Sequence, residues 1–140
     1  MLLTLERVLF LKKVDVFAQV DDDVLVDLAT ATDEREFSAG ECIIQEGDTG
    51  RELFIIVDGS VRIHRGEQTL ATMGSKSVFG ELAALDPEPR NASVTAVEDT
   101  RMLILKHTVL IDHLMANREL ALSVIRFLIR RLRAIEKSSS

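Results

Sequence analysis

The sequence predicts a mainly β domain with helices at both ends. Three observations carry that expectation: short apolar runs between residues 32 and 105 cut by glycines at 40, 47, 50, 59, 66, 74 and 80, helical spacing of apolar residues before them, and a return to helical spacing after residue 106. At 140 residues, with 46% apolar and 29% charged, the chain has the size and balance of one globular domain with its own core rather than a two-domain enzyme.

In residues 1–31 the apolar positions are Leu2, Leu5 and Leu9, then Val24, Leu25, Leu28 and Ala29. The run Asp21, Asp22, Asp23 reads as an N-cap and first helical turn, where negative charge suits the helix dipole. Six runs then have strand length and β-branched content: Cys42–Ile44, Leu53–Val57, Val61–Ile63, Gln68–Ala71, Ala92–Ala96 and Met102–Leu105. Gly47–Gly50 and Arg65–Glu67 supply turns. Many short strands with frequent turns mean a sandwich, jelly roll or barrel. Over residues 106–137, Thr108 caps a short helix through Met115, and Asn117 caps a longer one striped by Leu120, Val124, Phe127, Leu128, Leu132 and Ile135. The basic side of that helix, Arg126, Arg130, Arg131, Arg133 and Lys137, reads as a solvated face.

Composition removes several function classes. Seventeen basic against twenty-three acidic residues give a net charge of -6, which argues against a general nucleic-acid binder, so an anionic ligand must be held locally. No apolar run approaches the roughly 20 residues that span a bilayer, and the first fourteen residues interrupt their leucines with Glu6, Arg7, Lys12 and Lys13, so no signal-peptide core is present. One cysteine, Cys42, leaves no internal disulfide, and a cytoplasmic location, or the cytoplasmic face of a membrane protein, is expected. Trp and Tyr are absent, so stacking platforms are scarce.

The chemistry is concentrated in residues 79–93, Phe-Gly-Glu-Leu-Ala-Ala-Leu-Asp-Pro-Glu-Pro-Arg-Asn-Ala-Ser. Gly80 lets the backbone approach a ligand, and the short helix Glu81–Leu85 aims backbone N–H groups beyond its first turn. Pro87 and Pro89 stop that helix, and Arg90 arrives at the next strand with a guanidinium that can fork onto two oxygens. Glu81 beside a bare phosphate is unfavourable unless it accepts a hydrogen bond from a hydroxyl of the same ligand, a condition that a sugar phosphate meets. The alternative is a simple Glu81–Arg90 ion pair across the loop.

This stretch resembles the phosphate-binding cassette of the cyclic-nucleotide-binding domains found in protein kinase regulatory subunits, gated channels and the bacterial catabolite activator. A second run, Ile43-Ile44-Gln45-Glu46-Gly47-Asp48-Thr49-Gly50-Arg51-Glu52-Leu53-Phe54-Ile55-Ile56-Val57-Asp58-Gly59, is similar to the family's strand-turn-strand signature. The resemblance implies an eight-stranded jelly-roll β-barrel with N-terminal helices and C-terminal lid helices. It implies a ligand site of Phe79, Gly80, Glu81, Leu82, Ala83, Arg90, Asn91 and Ala92, with Arg90 on the cyclic phosphate, Glu81 on the ribose 2'-hydroxyl and the Gly80–Ala83 turn completing the phosphate cradle. Two departures stand out: Asn91 replaces the usual small residue, and Lys76-Ser77 takes a place where relatives often carry Gly-Asp. With no Trp or Tyr, the base is expected to be capped by Leu128, Arg131 or Leu132 of the last helix. That undemanding cover favours cyclic AMP, with cyclic GMP as the other candidate, and no cofactor or metal is expected.

A metal enzyme of the cupin kind would need clustered histidines, commonly as His-x-His on one strand, whereas His64, His107 and His113 are scattered. No nucleophile–base arrangement involves Cys42, which is expected to behave as a small buried hydrophobe. The expected function is therefore a non-enzymatic sensory domain that relays occupancy through its C-terminal helix to an effector region of a longer chain, or through a homodimer formed by that helix. No DNA-reading helix-turn-helix fits into the sequence. A degenerate member acting only as a protein-interaction module is the alternative, against which intact Gly80, Glu81 and Arg90 count.

Overall fold

A computed structural model describes residues 1–139 and contains ten strands and five α-helices. The helices are α1 (Thr4–Leu11), α2 (Asp22–Ala31), α3 (Glu81–Leu85), α4 (His107–Ala116) and α5 (Arg118–Ser139), with a 3-10 turn at Asp15–Phe17. The strands are β1 (Asp33–Phe37), β2 (Cys42–Ile44), β3 (Thr49–Gly50), β4 (Glu52–Asp58), β5 (Val61–Arg65), β6 (Gln68–Met73), β7 (Val78–Phe79), β8 (Glu88–Pro89), β9 (Ser93–Ala96) and β10 (Thr100–Lys106). The chain divides into two compact units, a β unit of Ala31–Ile111 with Met1 and a helical unit of Leu2–Thr30 with the residues from Asp112 on.

In the β unit eight strands form two four-stranded sheets, ordered β1-β10-β4-β7 and β2-β9-β5-β6, and β3 pairs with β8 as a separate ribbon. The fold is a jelly-roll-like, mainly β fold with flanking helices. The total exceeds the expected eight strands because β3 and β8, two residues each, form that extra ribbon. All pairings are antiparallel, as in β10 on β4, where Leu103 faces Ile55 and Ile104 faces Phe54. Leu53–Ile56 and Met102–Leu105 are buried on both faces, so these central strands read as continuous apolar runs. Residues of both four-stranded sheets, Phe54, Ile56, Phe79, Met102 and Ile104 from one and Val61 and Val94 from the other, form one core cluster. Charged Asp33–Phe37 carries no apolar alternation, yet it forms β1, an edge strand held only by β10.

In the helical unit α2 starts on the aspartates, with the Leu25 N–H donating to the Asp21 carbonyl at 3.1 Å. Asn117 caps α5: its Oδ1 accepts from the Leu120 N–H at 2.9 Å. The expected Thr108 cap is displaced, since α4 already begins at His107. The Ser123 hydroxyl donates to the Val16 carbonyl at 2.6 Å, tying α5 to the 3-10 turn. The α5 stripe is split by the tertiary structure: Leu120 and Phe127 are buried, whereas Leu132 and Ile135 are exposed. Among the described residues, no helix is long and apolar enough to cross a membrane.

Candidate functional site

The two sequence signatures meet in space. The Gly47 N–H donates to the Arg90 carbonyl and the Arg90 N–H to the Asp48 carbonyl, both at 2.8 Å. Thr49 and Gly50 pair with Pro89 and Glu88, and the Glu46 N–H donates to the Ser93 hydroxyl at 2.9 Å. The Gly47–Gly50 segment is therefore the partner that braces β8 and the backbone of Arg90 that follows it. Its glycine content has a direct reason: the Arg90 side chain crosses the Gly50 Cα so closely that a β-carbon there would overlap Nε and Cζ.

Opposite this clamp, Phe79 of β7 stacks its ring on Phe54 of β4 with centroids 4.9 Å apart. The chain then turns through Gly80 at φ +79, a left-handed conformation that glycine adopts without strain. A β-carbon at Gly80 would also stand 2.7 Å from the Glu52 carbonyl oxygen and 3.0 Å from Arg90 Nη1, so both space and backbone demand glycine. From this turn α3 starts, and its first ladder bond runs from the Ala84 N–H to the Gly80 carbonyl at 3.0 Å. The N–H groups ahead of it have no intrahelical acceptor.

Between clamp and turn lies a cavity of about 160 Å³. Phe79, Gly80, Glu81 and Ala83 line one side, and Arg90, Asn91 and Ala92 the other. Leu82 is in α3, and its side chain lies outside the described part of the structure. Ile44, Ile63 and Val94 add an apolar wall that the cassette pattern did not point to, and Glu88 and Pro89 complete the rim. Complete small-molecule pockets run to roughly 300–1,000 Å³, so this cavity encloses only part of a nucleotide-sized ligand.

Arg90 is half-buried, donating from Nη2 to the Glu52 carbonyl at 3.0 Å and from Nη1 to the Gly80 carbonyl at 3.4 Å. Burial lowers its pKa from the ordinary value, while the carboxylates of Glu52 and Glu81 act in the opposite direction. The guanidinium remains charged. A partly desolvated cation with donors in a fixed fork is suited to a compact anion. The Asn91 carbonyl accepts from Arg65 Nε at 2.9 Å, so β5 steadies the residue after Arg90.

His64 bonds through Nδ1 to the Gly66 carbonyl and through Nε2 to the Thr95 hydroxyl, both at 2.8 Å, and His107 Nδ1 contacts the Ala84 carbonyl. No group of histidine, cysteine and carboxylate side chains among the described residues could hold a metal ion. Cys42 is exposed rather than buried, because its end of β2 pairs irregularly with β9. Of the expected base-capping residues, Leu128 is half-buried, Leu132 is exposed, and Arg131 lies over the Phe127 ring at 4.6 Å.

Residues 34–117 match the profile of the cyclic nucleotide-binding domain. The chain is 31% identical over 128 residues to the CRP-like cAMP-activated global transcriptional regulator of Mycobacterium tuberculosis, a match covering 88% of this chain and 57% of that one. It is 38% identical over 117 residues to the cyclic AMP receptor protein of Thermus thermophilus, covering 77% of this chain and 53% of that one. It thus spans little more than half the length of either relative. Among solved structures, the N-terminal domain of a transcriptional regulator from Streptomyces coelicolor superposes with a TM-score of 0.79 at 31% identity, covering 92% of this chain and 93% of that one.

Proposed function

Because the chain belongs to the cyclic nucleotide-binding domain family, we propose that it binds cyclic AMP in the cavity between Gly80 and Arg90 and acts as a regulatory, non-catalytic sensor. The observation that carries this reading is the Arg90 guanidinium, propped by two backbone carbonyls in a partly buried cavity that Glu81 also lines. In this reading Arg90 takes the cyclic phosphate and Glu81 accepts from the ribose 2'-hydroxyl, with N–H groups of the turn at Gly80–Ala83 completing the cradle. The named relatives are cyclic-AMP-responsive regulators, which supports both the ligand and the role.

Cyclic AMP and cyclic GMP share ribose and phosphate, so discrimination falls to the base. Ile44, Ile63 and Val94 offer apolar contact, and Asn91 is the polar candidate for guanine. One such hydrogen bond nets about 0.5–1.5 kcal/mol, roughly tenfold at most. Cyclic AMP is therefore preferred modestly, with cyclic GMP a weaker ligand. We include in the proposal that Leu128, Arg131 or Leu132 of α5 covers the base, and that α5 relays occupancy to an effector region. With a net charge of -6, the domain leaves contact with nucleic acid to other parts of such a system.

Titration calorimetry with both nucleotides tests the reading. Micromolar affinity for cyclic AMP is expected, about -8 kcal/mol. Removing one partner of a buried charge costs about 3–5 kcal/mol, so Arg90→Ala should weaken binding roughly a hundredfold or more while the fold survives. Binding of Arg90→Ala within a few-fold of the parent would remove Arg90 from the site, and no heat with either nucleotide would leave the domain as an interaction module.

A further inference from the structure

Charged β1 carries an arginine that is tied to the cavity at one remove. Arg35 lies opposite Met102 in the β1–β10 pair, and its Nη2 stands 3.5 Å from Oε2 of Glu52 in β4, although β10 lies between the two strands. This is the one ion pair that either residue makes among the described residues. Lys106 stands directly opposite Glu52 in the β10–β4 register and takes no part in it. Glu52 therefore serves two cations with different groups: its backbone carbonyl accepts from Arg90 Nη2 at 3.0 Å, while its carboxylate is turned to Arg35. That carboxylate still acts on Arg90. Burial lowers the pKa of the guanidinium, and of the two carboxylates that oppose this, Glu52 has the larger effect and Glu81, which lines the cavity, the smaller.

We propose that Arg35 is a positioning residue for the anion site: by holding the Glu52 carboxylate at β1, it keeps the Arg90 guanidinium open to the phosphate of the ligand. The inference rests on the reading of the cavity as a phosphate site. A carboxylate and a phosphate compete for the same forked donors of an arginine, so a Glu52 side chain turned onto Arg90 would occupy what the ligand needs. Freed from Arg35, that carboxylate has two other cations within its surroundings, Lys106 and Arg90. Lys106 is exposed and its ammonium strongly hydrated, whereas Arg90 is half-buried, and attraction is stronger where water is fewer. The competing explanation is that the pair only fastens an edge strand. Yet β1 is already held by five register pairs with β10, from Asp33 with Ile104 to Phe37 with Thr100, and partly exposed ion pairs add little to such a ladder.

The test is a double-mutant cycle on the full chain, read by calorimetry with cyclic AMP. Arg35→Ala should weaken binding by about threefold to fivefold, and Arg35→Lys, which keeps the charge, should recover most of the loss. Glu52→Gln retains the carbonyl that holds Nη2 and should bind at least as tightly as the parent. In the Glu52→Gln background the further change Arg35→Ala should have no effect, because no carboxylate is left to restrain. The loss in Arg35→Ala should also shrink in about 0.5 M sodium chloride, where charge interactions are screened. Arg35→Ala equal to the parent, or a double variant as weak as Arg35→Ala alone, would overturn the proposal. Inorganic phosphate, followed through the NMR signal of the Arg90 Nε–H group, reads the same order of variants without a nucleotide. That order with phosphate but no binding of cyclic AMP would sustain the role of Arg35 and remove only the nucleotide reading, whereas a parent that binds neither probe would remove the anion site and this role with it.

Discussion

The side chain of Arg90 lies across the bare Cα of Gly50, in the space that any β-carbon at position 50 would occupy. The atoms in the way are the far end of a flexible side chain, and Gly50 has no positive φ, so Gly50→Ala asks Arg90 to move rather than the backbone to strain. The fold should keep its stability within about 1 kcal/mol, while cyclic-AMP affinity should fall by about tenfold or more because the cation no longer reaches its place. Parallel calorimetry and thermal melting check this. Unchanged affinity would show that the position of Arg90 set by Gly50 is not the one used in binding.

Lys76 is the one described non-glycine residue with positive φ, at +74, in a turn whose N–H donates to the Ile56 carbonyl at 2.8 Å. A left-handed conformation costs a side chain roughly 1–2 kcal/mol, and glycine there returns part of the gain through a freer unfolded chain, about 0.4–1 kcal/mol. Lys76→Gly should therefore stabilise the domain by about 0.5–1 kcal/mol without altering nucleotide affinity, as read by denaturant titration and calorimetry. A destabilised variant would mean that the lysine side chain contributes more than its backbone costs.

Glu119, near the start of α5, has its pKa raised, chiefly by the charge of Asp21. A carboxyl whose folded pKa is raised binds its proton more tightly folded than unfolded. Stability therefore falls as pH rises through the window between the ordinary and the raised value, and the deficit is complete above it. Glu119→Gln should melt at higher temperature than the parent near neutral pH. Below the ordinary carboxylate range, under about pH 3, the two should converge. An equal difference at both pH values would point to a cause other than the Asp21 charge.

If α5 responds to occupancy, amide exchange from Leu120 to Ile135 should slow on saturation with cyclic AMP. The shift is bounded by the ligand's differential affinity for the two states of the helix. Mass-spectrometric exchange on free and saturated protein reads this directly, and identical protection in both would leave a static binder.

The sequence by itself determined the alternation of helical and strand periods, the turns at glycine, and the cassette from Phe79 to Ser93, because these depend on local propensity and spacing. Of the residues it named for the ligand site, Phe79, Gly80, Glu81, Ala83, Arg90, Asn91 and Ala92 line the cavity, whereas Glu88 and Pro89 of the same stretch line it without having been named. It did not reveal β1, whose charged residues lack the apolar alternation and which forms only because β10 offers an unpaired edge. Nor could it show that Gly50 makes room for Arg90, that the Glu52 carbonyl holds the guanidinium, or that Ile44, Ile63 and Val94 wall the cavity, since each contact joins residues far apart in the chain. The same holds for α5, where periodicity marked apolar positions but only packing decided that Leu120 and Phe127 are buried while Leu122, Ile125, Ile129 and Leu132 remain exposed. Local spacing records what a segment can form. Which partner meets it is set by long-range pairing, and that information is carried by the assembled sheets and helices rather than by any one stretch of residues.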